Sequence, residues 1–280
     1  VLTVRCAAKI NFILDVLGKR PDGYHELTMV MQSVSLYDTL SLQSQPHGIT
    51  LVTSAGITEK PEDNLIYKAA LLLQKDFPHI TGVSITLDKK IPLAAGLAGG
   101  SADCAGTLHG LNRLFNLQLS TKQLEVYANQ LGSDITFCLY GGTYLAEGRG
   151  ELLTKLPGVP AMSGLILKPP FPISTAAVYR NIPKDYQGTK TDLTAYRNGT
   201  GTLVLSNDLY PFACQVAPEE KNYVDLVKKT NPLACQMSGS GPSIFAFYHT
   251  LAQRNTAELS LSDHEIYSIQ TVSSGIEFVS

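Results

Sequence analysis

No charge of one sign dominates this chain: 22 Lys and Arg stand against 24 Asp and Glu, a formal net charge of −2. That balance, without any basic run, makes neither the general field nor the local patch that would draw nucleic acid or an anionic membrane surface. A small molecule is the expected partner. Long apolar runs are also missing. No stretch approaches the roughly 18 residues that span a bilayer, and the N-terminus has no charged-then-apolar leader. A soluble, cytoplasmic protein is therefore expected, and Val1 in place of an initiator methionine points to a processed or trimmed start. None of the 6 histidines forms a close pair at metal-ligand spacing, which argues against zinc. The 5 cysteines (Cys6, Cys104, Cys138, Cys214, Cys235) are odd in number and contain no C-x-x-C pair. In a chain of this length they read as reduced core thiols, not as staples or a redox motif.

What is present is apolar volume. With 280 residues, 44% of them hydrophobic, the chain holds more than one core usually takes, so two domains are expected. The punctuation Leu156-Pro157-Gly158-Val159-Pro160, followed by a new strand at Leu165-Ile166-Leu167, places the boundary between residues 1–157 and 158–280. Strand-like and helix-like patterns are mixed along the whole length, which predicts an α+β fold. Lys184 to Asn198 is polar and poor in apolar periodicity, and reads as a surface excursion with freedom to move.

The richest segment is Pro92-Leu93-Ala94-Ala95-Gly96-Leu97-Ala98-Gly99-Gly100-Ser101-Ala102. Before it, Val83, Ile85 and Leu87 alternate with Ser84, Thr86 and Asp88 as in a strand; after it, Ala105, Leu108, Leu111 and Phe115 follow helical spacing. The glycines thus fall at a helix N-terminus, where unpaired N–H groups and the helix dipole favour an anion, and where a missing Cβ lets phosphate reach the main chain. The competing reading is a tight strand-to-helix turn and nothing more. Two familiar phosphate signatures fail here: no lysine follows Gly99-Gly100 as in a P-loop, and the segment about twenty residues on, Thr121 to Leu131, looks helical where a dinucleotide fold needs an acidic strand end.

Four further groups could carry chemistry. A strand through Cys6 to Asp15 puts Lys9 and Asn11 on one face, either as a functional pair or as a solvated lysine on an edge strand. Ser120 and Gln123 form a capping box opening a helix that Gly132 ends at C′. Asp134, just beyond, is either the N-cap of one more turn or a carboxylate available as a general base. Ser238-Gly239-Ser240-Gly241-Pro242-Ser243 before the run Ile244 to Tyr248 reads as a hairpin, or as a second backbone nest facing the same phosphates. The turn Arg20-Pro21-Asp22-Gly23 presents Tyr24 and His25 side by side, as a core-edge tyrosine with a surface histidine or as a seat for a heterocyclic base.

In this order, Ala8-Lys9-Ile10-Asn11, Pro92 to Ala102 and Ser238 to Phe245 resemble the three motifs of the GHMP kinase superfamily, and the match spans most of the chain. Leu17 to His25, Gly132-Ser133-Asp134 and Gly148-Arg149-Gly150-Glu151 are most similar to the branch that phosphorylates a cytidine-diphosphate-linked polyol on the non-mevalonate route to isoprenoid precursors. The resemblance implies a two-domain fold, ribosomal-protein-S5-like then ferredoxin-like, with ATP and substrate meeting in the cleft between. It implies Lys9 and Asp134 as the catalytic pair, Pro92 to Ala102 as the ATP phosphate loop, and Asn11, Tyr24, His25, Thr175 and Tyr179 as substrate contacts, Tyr179 stacking on cytosine. Mg2+ is expected with ATP, with Ser101 and Asp103 as candidate ligands or merely helix-capping groups. Ala95 and Ala98 stand where this family often has glycine. The rivals are a homoserine, mevalonate or sugar kinase of the same superfamily, a non-catalytic nucleotide sensor, and an oxidoreductase. The Asp22 to His25 segment speaks against the first, retention of both Lys9 and Asp134 against the second, and the missing dinucleotide fingerprint against the third.

Overall fold

The computed structural model describes residues 1–54 and 60–279. Two long strands, β1 (Leu2–Lys19) and β2 (His25–Ser44), pair antiparallel and form the spine of the first sheet. The chain continues through β3 (Gly48–Thr53), α1 (Leu65–Asp76), β4 (Gly82–Asp88), α2 (Gly99–Leu114), α3 (Thr121–Leu131), α4 (Ser133–Tyr140), β5 (Thr143–Gly148) and β6 (Leu152–Lys155). It then builds β7 (Ser163–Lys168), α5 (Thr175–Arg180), α6 (Thr194–Arg197), β8 (Ser206–Asn207), α7 (Tyr210–Val216), α8 (Glu220–Lys228), β9 (Ala234–Met237), β10 (Ile244–Phe247), α9 (Leu251–Ser260), β11 (Glu265–Gln270) and β12 (Ile276–Val279). The first sheet runs β12-β1-β2-β4-β3, with β5 on β2, β6 on β5 and β8 on β1. The second runs β11-β7-β10-β9, every pair antiparallel, with α9 between β10 and β11. This is the ferredoxin-like order. Two pieces from beyond Pro157, β8 and β12, lie in the first sheet against β1.

β1 is buried without interruption from Cys6 to Val16 because it is covered on both faces. On one side α2 lies close: a Cβ on Gly106 would come within 2.2 Å of Cys6 Sγ, so the helix rests on the sheet through its small residues. On the other side the second sheet docks. The register of β1 slips between Asn11 and Ile13, and the extra residue, Phe12, packs against Phe245 and Phe247 of β10, each at 6.1 Å between ring centroids. A bulge is what re-aims that ring between the two sheets. A separate cluster, including Leu165, Leu167, Val224 and Ala257, fills the space between the second sheet and α8 and α9.

The polar excursion from Lys184 to Asn198 is tied down. Leu193 and Tyr196 are buried, Tyr196 stacks on Phe12 at 5.8 Å, and Thr191 donates from N and Oγ1 to the buried Asp15 at 2.7 and 2.8 Å. Few of its residues are apolar, but those few reach the core, and its polar groups satisfy a buried carboxylate. Of the cysteines, all free, Cys6, Cys104 and Cys138 are core residues, whereas Cys214 and Cys235 are only half-buried.

Candidate active site

The glycine-rich segment leaves β4 and enters α2 as the sequence pattern predicts. Its backbone is left-handed at Ala94 (φ 49°), Gly96 (φ 74°) and Ala98 (φ 55°), the last being the N-cap of α2. For alanine that conformation costs on the order of 1–2 kcal/mol, so neighbouring contacts must hold the loop. They come from both sheets: Lys9 N donates to Leu97 O at 3.1 Å, Ser243 N to Ala95 O at 3.3 Å and Ser238 Oγ to Gly96 O at 3.0 Å. Gly96 is required by this closeness, since a Cβ there would lie 2.2 Å from Ser238 O. The segment Ser238 to Ser243 is the tip of the β9–β10 hairpin, and that tip also packs on the glycine-rich loop. The hairpin reading of that motif therefore describes its shape.

Beneath the loop lies a buried cluster that sequence reasoning missed. Lys89 Nζ donates to Asp38 and, at 3.0 Å, to Asp103 Oδ2, while Asp38 Oδ1 accepts from the backbone N–H groups of Lys90 (2.6 Å) and Ile91 (2.8 Å). A Cβ on Gly99 would meet Lys89 Nζ at 2.6 Å, so the ammonium is tucked under the first turn of α2. Burial pushes the Asp103 carboxyl up, with Lys89 opposing and Asp38 adding to the rise. Asp103 is thus engaged by Lys89. Ser101 is half-buried in the same turn, and Ala102 faces the core.

Lys9 is 5% exposed and Asn11 fully buried, because β1 is an interior strand with β2 on one side and β12 and β8 on the other. The solvated edge lysine is thereby excluded. Lys9 Nζ donates to Asn11 Oδ1 at 2.7 Å and lies 3.7 Å from Asp134 Oδ2. Asp134 reaches it from the first turn of α4. Gly132, in extended conformation, ends α3 and is itself the N-cap of α4, so Asp134 sits inside the helix and caps nothing with its side chain. Its carboxylate remains about one-third exposed (36%), facing a cavity of about 380 Å³ lined also by Asn11, Gly239 and the segment from Pro92 to Gly100.

A second cavity, of about 530 Å³, holds the aromatic residues. His25 and Tyr179 face each other there at 5.2 Å between ring centroids. Burial, and then the charge of Lys19, lower the His25 pKa, which favours the neutral imidazole. Burial and the Asp134 charge push the Tyr179 phenol up. Thr175 shares a hydrogen bond of 2.7 Å with Ser240 of the hairpin tip. Tyr24 is mostly exposed at the rim, with the Arg149 guanidinium 5.0 Å above its ring. Leu27, Arg149, Thr175 and Tyr179 line both cavities. Lys9, Asn11, the glycine-rich loop, Thr175 and Tyr179 are thus brought to one continuous cleft with Asp134, and Tyr24 and His25 stand at its outer end.

Residues 64–142 match the family described as GHMP kinases N terminal domain. A 4-diphosphocytidyl-2-C-methyl-D-erythritol kinase of Moorella thermoacetica is 44% identical over 255 residues, covering 88% of this chain and 89% of that protein. One from Listeria monocytogenes is 38% identical over 283 residues, covering 98% and 97%. A crystal structure of 4-(cytidine 5'-diphospho)-2C-methyl-D-erythritol kinase superposes with a TM-score of 0.85 at 28% identity over 96% of this chain and 98% of that one. Fold and cleft together define a GHMP kinase, an enzyme that phosphorylates small molecules with ATP. Within that class, the chain belongs to the 4-diphosphocytidyl-2-C-methyl-D-erythritol kinase family.

Proposed function

We propose that this chain transfers the γ-phosphoryl group of ATP to the 2-hydroxyl of 4-diphosphocytidyl-2-C-methyl-D-erythritol, in the cytoplasm, on the non-mevalonate route to isoprenoid precursors. The observation that carries the reading is the Lys9–Asp134 pair, 3.7 Å apart in the glycine-loop cavity, which shares Thr175 and Tyr179 with the aromatic one. Asp134 accepts the proton of the substrate hydroxyl as its oxygen bonds to the γ-phosphorus and the bond to the ADP oxygen breaks. Lys9, fixed by Asn11, stabilises the negative charge that develops on the attacking oxygen. Pro92 to Ala102, at the N-terminus of α2, hold the ATP phosphates through backbone N–H groups. Asn11, Tyr24, His25, Thr175 and Tyr179 hold the cytidyl substrate, the neutral His25 offering one donor and one acceptor to the base and Tyr179 an aromatic face. In this division residues 1–157 supply the nucleotide loop and the catalytic pair, and residues 158–280 close on the base through Thr175 and Tyr179.

Mg2+ fits such a site as a companion of the nucleotide, since it keeps several waters and needs only one or two protein oxygens beyond the phosphates. Of the two candidate ligands, Asp103 is buried against Lys89, which leaves the Ser101 hydroxyl. The ion would neutralise charge on the transferred phosphate. Replacing Asp134 by Asn tests the assignment of the base: kcat falls about 100-fold or more while the KM for ATP changes little. Near-normal single-turnover transfer by that variant contradicts it.

A further inference from the structure

Two cavities make up the cleft, and only a short stretch joins them. The inner one holds the Lys9–Asp134 pair, and the outer one holds His25 and Tyr179. A molecule with its base in the outer cavity and its reacting hydroxyl in the inner one must lay the connecting diphosphate across that shared stretch. Of the residues common to both, Leu27, Arg149, Thr175 and Tyr179, only Arg149 is charged. The other cations of the cleft stand elsewhere. Lys9 is held by Asn11 and Asp134, Lys89 is buried among carboxylates, and Lys19, Arg180 and Lys184 line the outer cavity alone.

Arg149 is also held where a diphosphate would pass. It sits at the turn between β5 and β6, flanked by Gly148 (φ 72°) and Gly150 (φ 105°), and its side chain crosses to the β1–β2 turn, where the guanidinium lies 5.0 Å over the Tyr24 ring. Glu151 holds the turn through its main chain, accepting from Arg149 N at 2.6 Å, but stands 3.7 Å from the side chain's Nε. That is too long for the charge-assisted fork an arginine forms with a carboxylate, typically about 2.7–2.9 Å. The side chain is 42% exposed, so its planar donors remain available to a phosphate.

We propose that Arg149 binds the diphosphate of the substrate and so sets a preference for a nucleoside diphosphate over the bare nucleoside, an inference that rests on the cytidyl-substrate reading above. The test uses the full-length enzyme with Arg149→Met, which keeps an apolar stem against Tyr24, and Arg149→Lys, which keeps a point charge. Inhibition constants of CDP and cytidine are measured against the cytidyl substrate, with the KM for ATP as a control. In the wild type CDP binds more tightly than cytidine. Arg149→Met weakens CDP about tenfold to a hundredfold, leaves cytidine and the KM for ATP unchanged, and Arg149→Lys recovers part of the loss. An unchanged ratio of CDP to cytidine in Arg149→Met overturns the assignment, as does an equal weakening of both, which marks a packing role through Tyr24. A wild-type enzyme that binds neither compound fails earlier, at the substrate reading, and removes this assignment with it.

Discussion

Glu220 lies fully buried in the first turn of α8, with neither carboxylate oxygen hydrogen-bonded. Burial pushes its pKa up to about 8, and the charge of Lys168 opposes the rise without cancelling it. In the unfolded chain the same group titrates at about 4.3. Between those values the folded state binds the extra proton, so the contribution of Glu220 to stability is fully present below the unfolded pKa and is lost as pH rises through the folded one. The loss runs at about 1.4 kcal/mol per pH unit across that window. Glu220→Gln should therefore stabilise the protein, relative to wild type, more at pH 9 than at pH 5 in urea denaturation; an equal effect at both pH values contradicts a buried neutral carboxyl. At Asp38 the outcome differs, since Lys89 and the backbone N–H groups of Lys90 and Ile91 compensate the buried carboxylate. That cluster could not be read from the sequence, because Asp38 and Lys89 are 51 residues apart and each alone looks like an ordinary surface charge. Lys9 and Asp134 were legible only through their motifs, for spacing alone favoured a solvated lysine and a helix cap.

Elements with their own local signals were readable. The capping box of α3 forms as written, Ser120 accepting from Gln123 N while Gln123 accepts from Ser120 N, and β4 keeps its alternation. Elements whose reason lies elsewhere in the chain were not. The segment from Lys184 to Asn198 has no periodicity of its own, and what orders it is supplied by Phe12 and Asp15 of β1. Truncating Tyr196 to Ala removes a buried ring stacked on Phe12 and should cost about 3–5 kcal/mol, with proteolytic cleavage appearing first in this segment. A cost under about 1 kcal/mol in denaturant melts means that the site collapses around the gap and the ring is not the anchor. The α4 helix falls between these cases: its apolar run was legible, but its start lies two residues earlier than an Asp134 N-cap would place it, because Gly132 serves two helices at once.

For the whole molecule, composition and punctuation gave the mixed class and the place where the second sheet begins, at β7. The return of β8 and β12 to the first sheet was not legible, since a two-residue strand and a short C-terminal strand carry no pattern that names β1 as their partner. That return has a consequence for function. Asn207 of β8 donates to Met237 O and Gly239 O, both at 2.9 Å, and so fixes the β9–β10 hairpin tip over Lys9 and the glycine-rich loop. The cleft is thereby built from both sheets, with the glycine-rich loop inside and aromatic side chains outside, and the proposed function assigns the choice of substrate to this combination more than to any one residue. A coupled ADP-release assay with Mg-ATP, comparing 4-diphosphocytidyl-2-C-methyl-D-erythritol with homoserine, mevalonate and galactose, tests it most directly. The account predicts turnover of the cytidyl compound alone; turnover of another alcohol, or of none while ATP still binds, would contradict it.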